Sequence, residues 1–313
     1  MIGINKVFFG RVLMNLALLV LGRWCIGIGA SILLSQPVMA APMTTQLSQR
    51  VSQQSGGNAA AAAQKALSEG LQLYQQGTAE SKRQAISKFE ETLKQYREAG
   101  DNKGQAFSLL ALGKIYSDLG EKQKALEYYS QSLPLSRAVA DRTGEAVTLN
   151  NIGLVYSDLG ENQKSLEYYN QSLPLFRAVG DRSLEATTLN NIGNVYSDLG
   201  ENQKALEYYS QSFSLFRAVG DARGEAATLN SIGYDYSVLG EKQKALEYYS
   251  QSLPLFRAVG DARGEATTLN NIGLVYSALG EKQKAQEYTA SPFPCFEQWA
   301  IALGKPPPSP TSA

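Results

Sequence analysis

Residues 149–160 read Leu149-Asn-Asn-Ile152-Gly153-Leu-Val-Tyr156-Ser-Asp-Leu159-Gly160, and the same frame returns at Leu189–Gly200, Leu229–Gly240 and Leu269–Gly280. Each return comes 40 residues after the last. Followed outward, the period opens at Asp101 and runs through 101–140, 141–180, 181–220 and 221–260. A fifth copy starts at 261 and holds until Tyr288. Self-similarity at such a period marks a stack of like supersecondary units. It overrides the about two domains that 313 residues would suggest by length.

One period is legible as two helices. Leu149, Ile152, Tyr156 and Leu159 follow at steps of three and four, the spacing of one helix face. Gly160 is expected to end that helix, because glycine tolerates the left-handed conformation of a helix terminus. Glu161 opens the second helix, where an acid suits the positive end of the helix dipole. Leu166, Tyr169, Leu173 and Phe176 form its apolar stripe. Gly180 ends it, and Asp181 is placed to cap the next first helix. Gly153 and the small residue at 165 (alanine at 125, 205, 245 and 285) let the two helices approach closely. Pro134, Pro174 and Pro254 fall inside second helices. They are expected to kink them, whereas Ser214 leaves its helix straighter.

The pattern Leu189-x-x-Ile192-Gly193-x-x-Tyr196 with Ala205-x-x-x-Tyr209 resembles the tetratricopeptide repeat family, in a long form of 40 residues rather than 34. The resemblance covers about 59–289 and implies an all-α, right-handed superhelical solenoid of helix-turn-helix repeats. It also implies a concave groove, lined by first helices, that takes a peptide or protein ligand. Carried over position by position, the groove columns are Leu110, Asn150, Asn190, Asn230 and Asn270, then Lys114, Leu154, Asn194, Tyr234 and Leu274. One turn on lie Ser117, Ser157, Ser197, Ser237 and Ser277. Asp118, Asp158 and Asp198 follow, replaced by Val238 and Ala278 in the last copies. The asparagine column is expected to be exposed and to offer hydrogen bonds to a peptide backbone; the alternative is that these polar residues are only the solvated side of each helix. Asp235 stands where the other copies have Ile115, Val155, Val195 and Val275. It reads as a surface change or as part of a local site near Tyr234.

Composition removes other functions. Lysine plus arginine is 29 and aspartate plus glutamate is 29, which argues against a general electrostatic binder of nucleic acid or anionic membrane. Histidine is absent, and with it go His-dependent triads and His-containing metal sites. Cys25 and Cys295 lie at opposite ends, so no cysteine cluster forms. The recurring acids and tyrosines read as solvated helix faces and packing residues. No enzyme activity, cofactor, metal or nucleic acid is therefore expected.

The flanks differ from the repeats. Residues 59–100 read as a divergent helical hairpin, and 41–58, rich in glutamine, serine and alanine, as a flexible linker. Residues 1–40 read as an export signal. Lys6 and Arg11 precede an apolar run, and Val38-Met39-Ala40 fits the small-residue cleavage rule. The alternative is a membrane anchor over 12–34, interrupted by Arg23. Residues 290–313 show no helical period. Codons 297–313, read one base earlier with free third bases chosen to favour the match, give RAVGDRAGEATTLTNIG. The segment at 257–273 is RAVGDARGEATTLNNIG, and 14 of 17 positions agree. A one-base deletion at codon 289 is thus expected to have truncated a longer repeat protein. Cys295 and Trp299 then have no designed role, and an uncapped last repeat is expected to favour self-association.

The leading expectation is an exported, periplasmic or extracellular scaffold for protein–protein interaction. The alternative is the regulatory array of a larger protein with a C-terminal effector, such as the caspase-like CHAT protease domain that follows long-repeat arrays in bacteria. N-terminal sequencing of the purified native protein should begin at Ala41; an intact Met1 in the membrane pellet would favour the anchor.

Overall fold

A computed structural model describes residues 58–289; the segments read as signal, linker and frameshifted tail lie outside them, apart from Asn58. The described residues form twelve helices in consecutive antiparallel pairs. The first pair is α1 (Asn58–Gln75) with α2 (Ala79–Glu98), the divergent hairpin expected at 59–100. Then come α3 (Asn102–Asp118) with α4 (Lys122–Ala138), α5 (Arg142–Asp158) with α6 (Asn162–Val179), and α7 (Arg182–Asp198) with α8 (Asn202–Val219). The array closes with α9 (Ala222–Val238) and α10 (Lys242–Ala258), then α11 (Ala262–Ala278) and α12 (Lys282–Thr289). Among these helices none is long and apolar enough to cross a membrane.

The boundaries follow from local chemistry. Asp181 Oδ1 accepts the Leu184 backbone N–H at 3.0 Å, and Asp141, Asp221 and Asp261 cap their helices in the same way. Gly160 takes the left-handed conformation with φ 74°. The N–H of the residue after it, Glu161, returns to Tyr156 O at 2.9 Å, which closes the helix end. Glu161 occupies the cap position of α6, but its side chain makes no cap bond; it pairs with Lys164 instead. Helices α4, α6 and α10 run unbroken through Pro134, Pro174 and Pro254.

In the four pairs from α3–α4 to α9–α10 a tyrosine ring packs directly against a glycine. A Cβ placed on Gly153, Gly193 or Gly233 would meet the ring of Tyr169, Tyr209 or Tyr249 at 2.8, 2.5 and 2.7 Å. These tyrosines are fully buried. The second-helix stripe Leu166, Tyr169, Leu173 and Phe176 is buried as expected. On the first helix Leu149 and Ile152 are buried, but Leu159, Leu199, Leu239 and Leu279 are 44–45% exposed. Each of these leucines sits at the C-cap, beyond the last helical residue, where no neighbour covers it. The core column continues through Val155, Val195 and Val275 instead.

Consecutive first helices touch one another: α3 with α5, α5 with α7, α7 with α9 and α9 with α11. That close approach brings five first helices side by side along one face of the array. Gly193→Ala should cost about 1–3 kcal/mol, because the buried Tyr209 ring must move. Hydrogen exchange should show the loss greatest in α7 and α8 and fading with distance along the array; uniform loss would contradict nearest-neighbour coupling.

Candidate functional site

The asparagine column is not the open row that the sequence suggested. Asn190 is wholly buried and Asn230 nearly so, while Asn150 and Asn270 are half-buried. Asn150, Asn190 and Asn230 each engage the threonine 38 residues ahead. Asn150 Nδ2 donates to Thr188 Oγ1 at 2.8 Å. Thr228 Oγ1 donates to Asn190 Oδ1 at 3.0 Å, and Thr268 Oγ1 to Asn230 Oδ1 at 3.2 Å. Asn230 Oδ1 also accepts Asn271 Nδ2 at 3.3 Å. For Asn270 the corresponding position, 308, lies outside the described residues. The column is a row of staples between neighbouring first helices. Its truncation would remove buried hydrogen bonds and lower stability, rather than leave the fold untouched.

A second set of staples was not singled out in the sequence. Ser132, Ser172, Ser212 and Ser252 donate to the carbonyls of Ala106, Ala146, Ala186 and Ala226 at 2.8–2.9 Å. Each ties a second helix to the first helix of its own pair. The recurrence of a serine inside an apolar helix face was the available signal, since a buried hydroxyl must find a partner.

At the N-terminal end of the face the charges are already paired. Lys114 is buried and ion-paired with Asp118, whose other oxygen accepts the Tyr74 hydroxyl at 2.6 Å. Burial, followed by the charge of Asp118, raises the Tyr74 pKa far above its ordinary value, so it remains a neutral donor. Lys122 is ion-paired with Asp158. Lys114 is therefore sequestered rather than presented to a ligand. A buried pair of this kind contributes more to placement than to stability.

The junction of α7 and α9 departs from its sister junctions. Asn194 Oδ1 accepts the hydroxyl of buried Tyr209 at 2.8 Å. Ser197 Oγ donates to Asp235 Oδ1 at 2.5 Å. Asp235 has no exposed surface, which corrects its reading as a surface change, and Oδ2 has no hydrogen-bond partner. Burial pushes its carboxyl up to about 7; the Ser197 hydrogen bond acts against that shift and the charge of Asp198 adds to it. Tyr234 is half-buried beside it, Ser157 and Ser197 are half-buried, and Asp158 and Asp198 lie at the surface. The structure thus brings Asn194, Ser197 and Asp235 into one junction with Tyr209. It places Asn150, Asn190 and Asn230 in the staples.

On the second-helix side, Tyr116 stacks on Tyr128 with centroids 5.3 Å apart, and the pair recurs at Tyr156–Tyr168, Tyr196–Tyr208, Tyr236–Tyr248 and Tyr276–Tyr288. Lys124 lies over the first ring at 5.0 Å, with counterparts in each copy. These tyrosines are half-buried, not core residues as read from their spacing. A cleft of about 460 Å³ between α2 and α4 is floored by Tyr116 and Tyr128 and edged by Lys94, Arg97 and Glu90. Among the described residues no cluster of acids and cysteines could hold a metal ion.

A family profile described as tetratricopeptide repeat matches residues 78–138, 144–218 and 224–289, well over half of the chain. No curated protein matches the sequence. Among solved structures the fold is similar to aspartyl phosphate phosphatase F from Bacillus subtilis, with a TM-score of 0.59 and 16% identity over 78% of this chain and 74% of that one. BtubC from P. vanneervenii gives 0.57 and 18% over 76% and 95%, and the apo quorum sensor NprR from B. thuringiensis gives 0.55 and 18% over 77% and 68%. At these identities the likeness is one of fold.

Asp235 gives this chain a pH dependence with a definite sign. Its folded pKa of about 7 lies above the unfolded value of about 3.9, so the folded state holds the proton longer. The resulting stability is fully present below about pH 4 and is lost as pH rises to about 7. Replacement by the valine of the sister copies should therefore stabilise the protein by about 2 kcal/mol or more at pH 8, and by much less at pH 5. Urea melts of wild type and Asp235→Val at both pH values measure this; a constant difference would refute it.

Proposed function

Because the chain belongs to the tetratricopeptide repeat family, we propose that it is a non-catalytic interaction scaffold that holds a segment of another protein along its row of first helices. The observation that carries this reading is the contact of successive first helices, which sets α3, α5, α7, α9 and α11 side by side as one continuous surface. The most exposed apolar side chains on it come from the 154 and 158 columns, not from the stapled asparagines. Leu274 is 47% and Val238 53% exposed, while Leu154, Asn194 and Tyr234 are half-covered. Two exposed apolar side chains on a row of parallel helices suit the burial of partner side chains. The segment 1–40, with its basic start, apolar run and Val38-Met39-Ala40 site, supports action outside the cytoplasm.

Photo-crosslinking tests the location of binding. A benzophenone amino acid placed at 238 or 274 should yield adducts with extracytoplasmic proteins, and the same probe at Gln171 or Gln211 on second helices should yield few. Adducts from the second-helix positions alone would overturn the reading.

A further inference from the structure

The copies are close to identical, so a cluster of departures from the pattern is informative. Three meet at the junction of α7 and α9. Asn194 stands in a column otherwise held by Lys114, Leu154, Tyr234 and Leu274. Ser231 stands where other copies have Asn151, Asn191 and Asn271, and Asp235 where they have Ile115, Val155, Val195 and Val275. The three gather around one buried ring: the Tyr209 hydroxyl donates to Asn194 Oδ1 and lies within reach of Ser231, and the charge of Asp235 acts on it. At the sister junctions Val155, Val195 and Val275 are buried in the corresponding place. Only the α7–α9 junction buries a carboxylic acid there.

The polar groups of this junction are incompletely matched. Asp235 Oδ2, Asn194 Nδ2 and Asn190 Nδ2 are buried without a hydrogen-bond partner. The one donor to the carboxyl is Ser197 Oγ. The titratable groups around it offer no positive charge. Asp198 on α7 opposes its ionisation. Tyr209 on α8 and Tyr249 on α10 are held neutral, chiefly by burial, and the charge of Asp235 adds to both shifts. Tyr234, on α9 itself, acts on Tyr249. No group of α11 acts on the carboxyl. An ionised Asp235 is therefore a buried charge with one donor, a state that contact with water relieves.

The array can admit water at this junction more readily than within a hairpin. Tyr209 against Gly193 and Ser212 on the Ala186 carbonyl hold α7 to α8. Tyr249 against Gly233 and Ser252 on the Ala226 carbonyl hold α9 to α10. Between α7 and α9 the Thr228–Asn190 staple lies about two turns before the Ser197–Asp235 contact, which falls in the last turn of both helices. We propose that this junction is a proton-operated hinge. With Asp235 protonated, α7 and α9 stay closed; with it ionised, their C-terminal ends part about the Thr228–Asn190 staple and water enters. The hairpins before and after the junction then change their relative angle as rigid bodies, because each couples only to its neighbours. On the scaffold reading, the row of first helices would thus differ in shape on the two sides of neutral pH. The hinge itself does not depend on that reading.

Paired spin labels on the purified full chain, with Cys25 and Cys295 replaced by serine, test this. Labels at the exposed positions Gln171 and Gln251 span the junction, whereas labels at Gln131 and Gln211 span only α3–α5 and α5–α7. Between about pH 5.5 and about pH 8.5 the 171–251 separation should shift by about 3 Å, the reach of one hydrogen bond to water. The midpoint should lie near 7. The 131–211 separation should stay constant. Asp235→Val, which restores the sister residue, and Asp235→Asn, which keeps the shape without the charge, should each hold the 171–251 separation at its low-pH value throughout. An unchanged 171–251 separation in wild type overturns the hinge, even if stability falls at high pH, because the acid then ionises inside a closed junction. A shift that persists in both variants, or an equal shift in the 131–211 pair, overturns it as well. No ligand enters the measurement, so each of these failures leaves the scaffold reading standing.

Discussion

The array rests on the contact between a buried tyrosine ring and a glycine backbone. In the hairpins from α3–α4 to α9–α10 the ring lies where a Cβ would otherwise be, so two helices pack more closely than side chains on both would permit. The gain is the burial of a large aromatic surface against a flat one, with few voids. The rest depends on that distance. The serine hydroxyl of the second helix reaches an alanine carbonyl of the first only because the helices are this close. The hairpin so formed is a rigid unit, and its first helix meets the next with Asn190 within reach of Thr228.

Polar groups therefore do much of the joining. The apolar residues settle which faces are hidden, but they are nearly alike in every copy and carry no register. Hydrogen bonds do carry it. A staple spanning 38 residues closes only if the two helices are neither slid nor rotated, because a buried amide or hydroxyl left without a partner costs about 1–3 kcal/mol. Asp235 is the exception that measures the rule. At a site that is valine in three sister copies, it has one partner for its two oxygens, and its burial raises its pKa.

Much of this was legible in the sequence. The period, the aspartate caps, the left-handed glycines and the stripe of Leu166, Tyr169, Leu173 and Phe176 follow from local rules that act within a few residues. What escaped was decided between helices. Asn190 looks like a surface residue on its own helix, and only the neighbouring helix buries it. Its partner Thr228 belongs to another copy, and since every copy holds both residues, the pairing leaves no trace in the repeat. Leu159 seemed to extend the apolar face because periodicity takes no account of where a helix stops. Asp235 read as a surface change or as part of a local site, although the valines of its column are buried. Of the candidate groove residues, Asn150, Asn190 and Asn230 are taken up in staples and Lys114, Asp158 and Asn194 in contacts with neighbouring side chains.

Because each staple points forward by the same interval, a copy offers the following one what it received from the one before. Excision or duplication of a single 40-residue unit within 141–280 would leave nearly every bond with an equivalent partner. Unequal recombination between such similar stretches of gene would then yield shorter or longer proteins that still close their contacts. The length of the array is in this sense a heritable dial. The Ser197–Asp235, Lys122–Asp158 and Arg223–Asp261 pairs, by contrast, depend on which two copies happen to be neighbours.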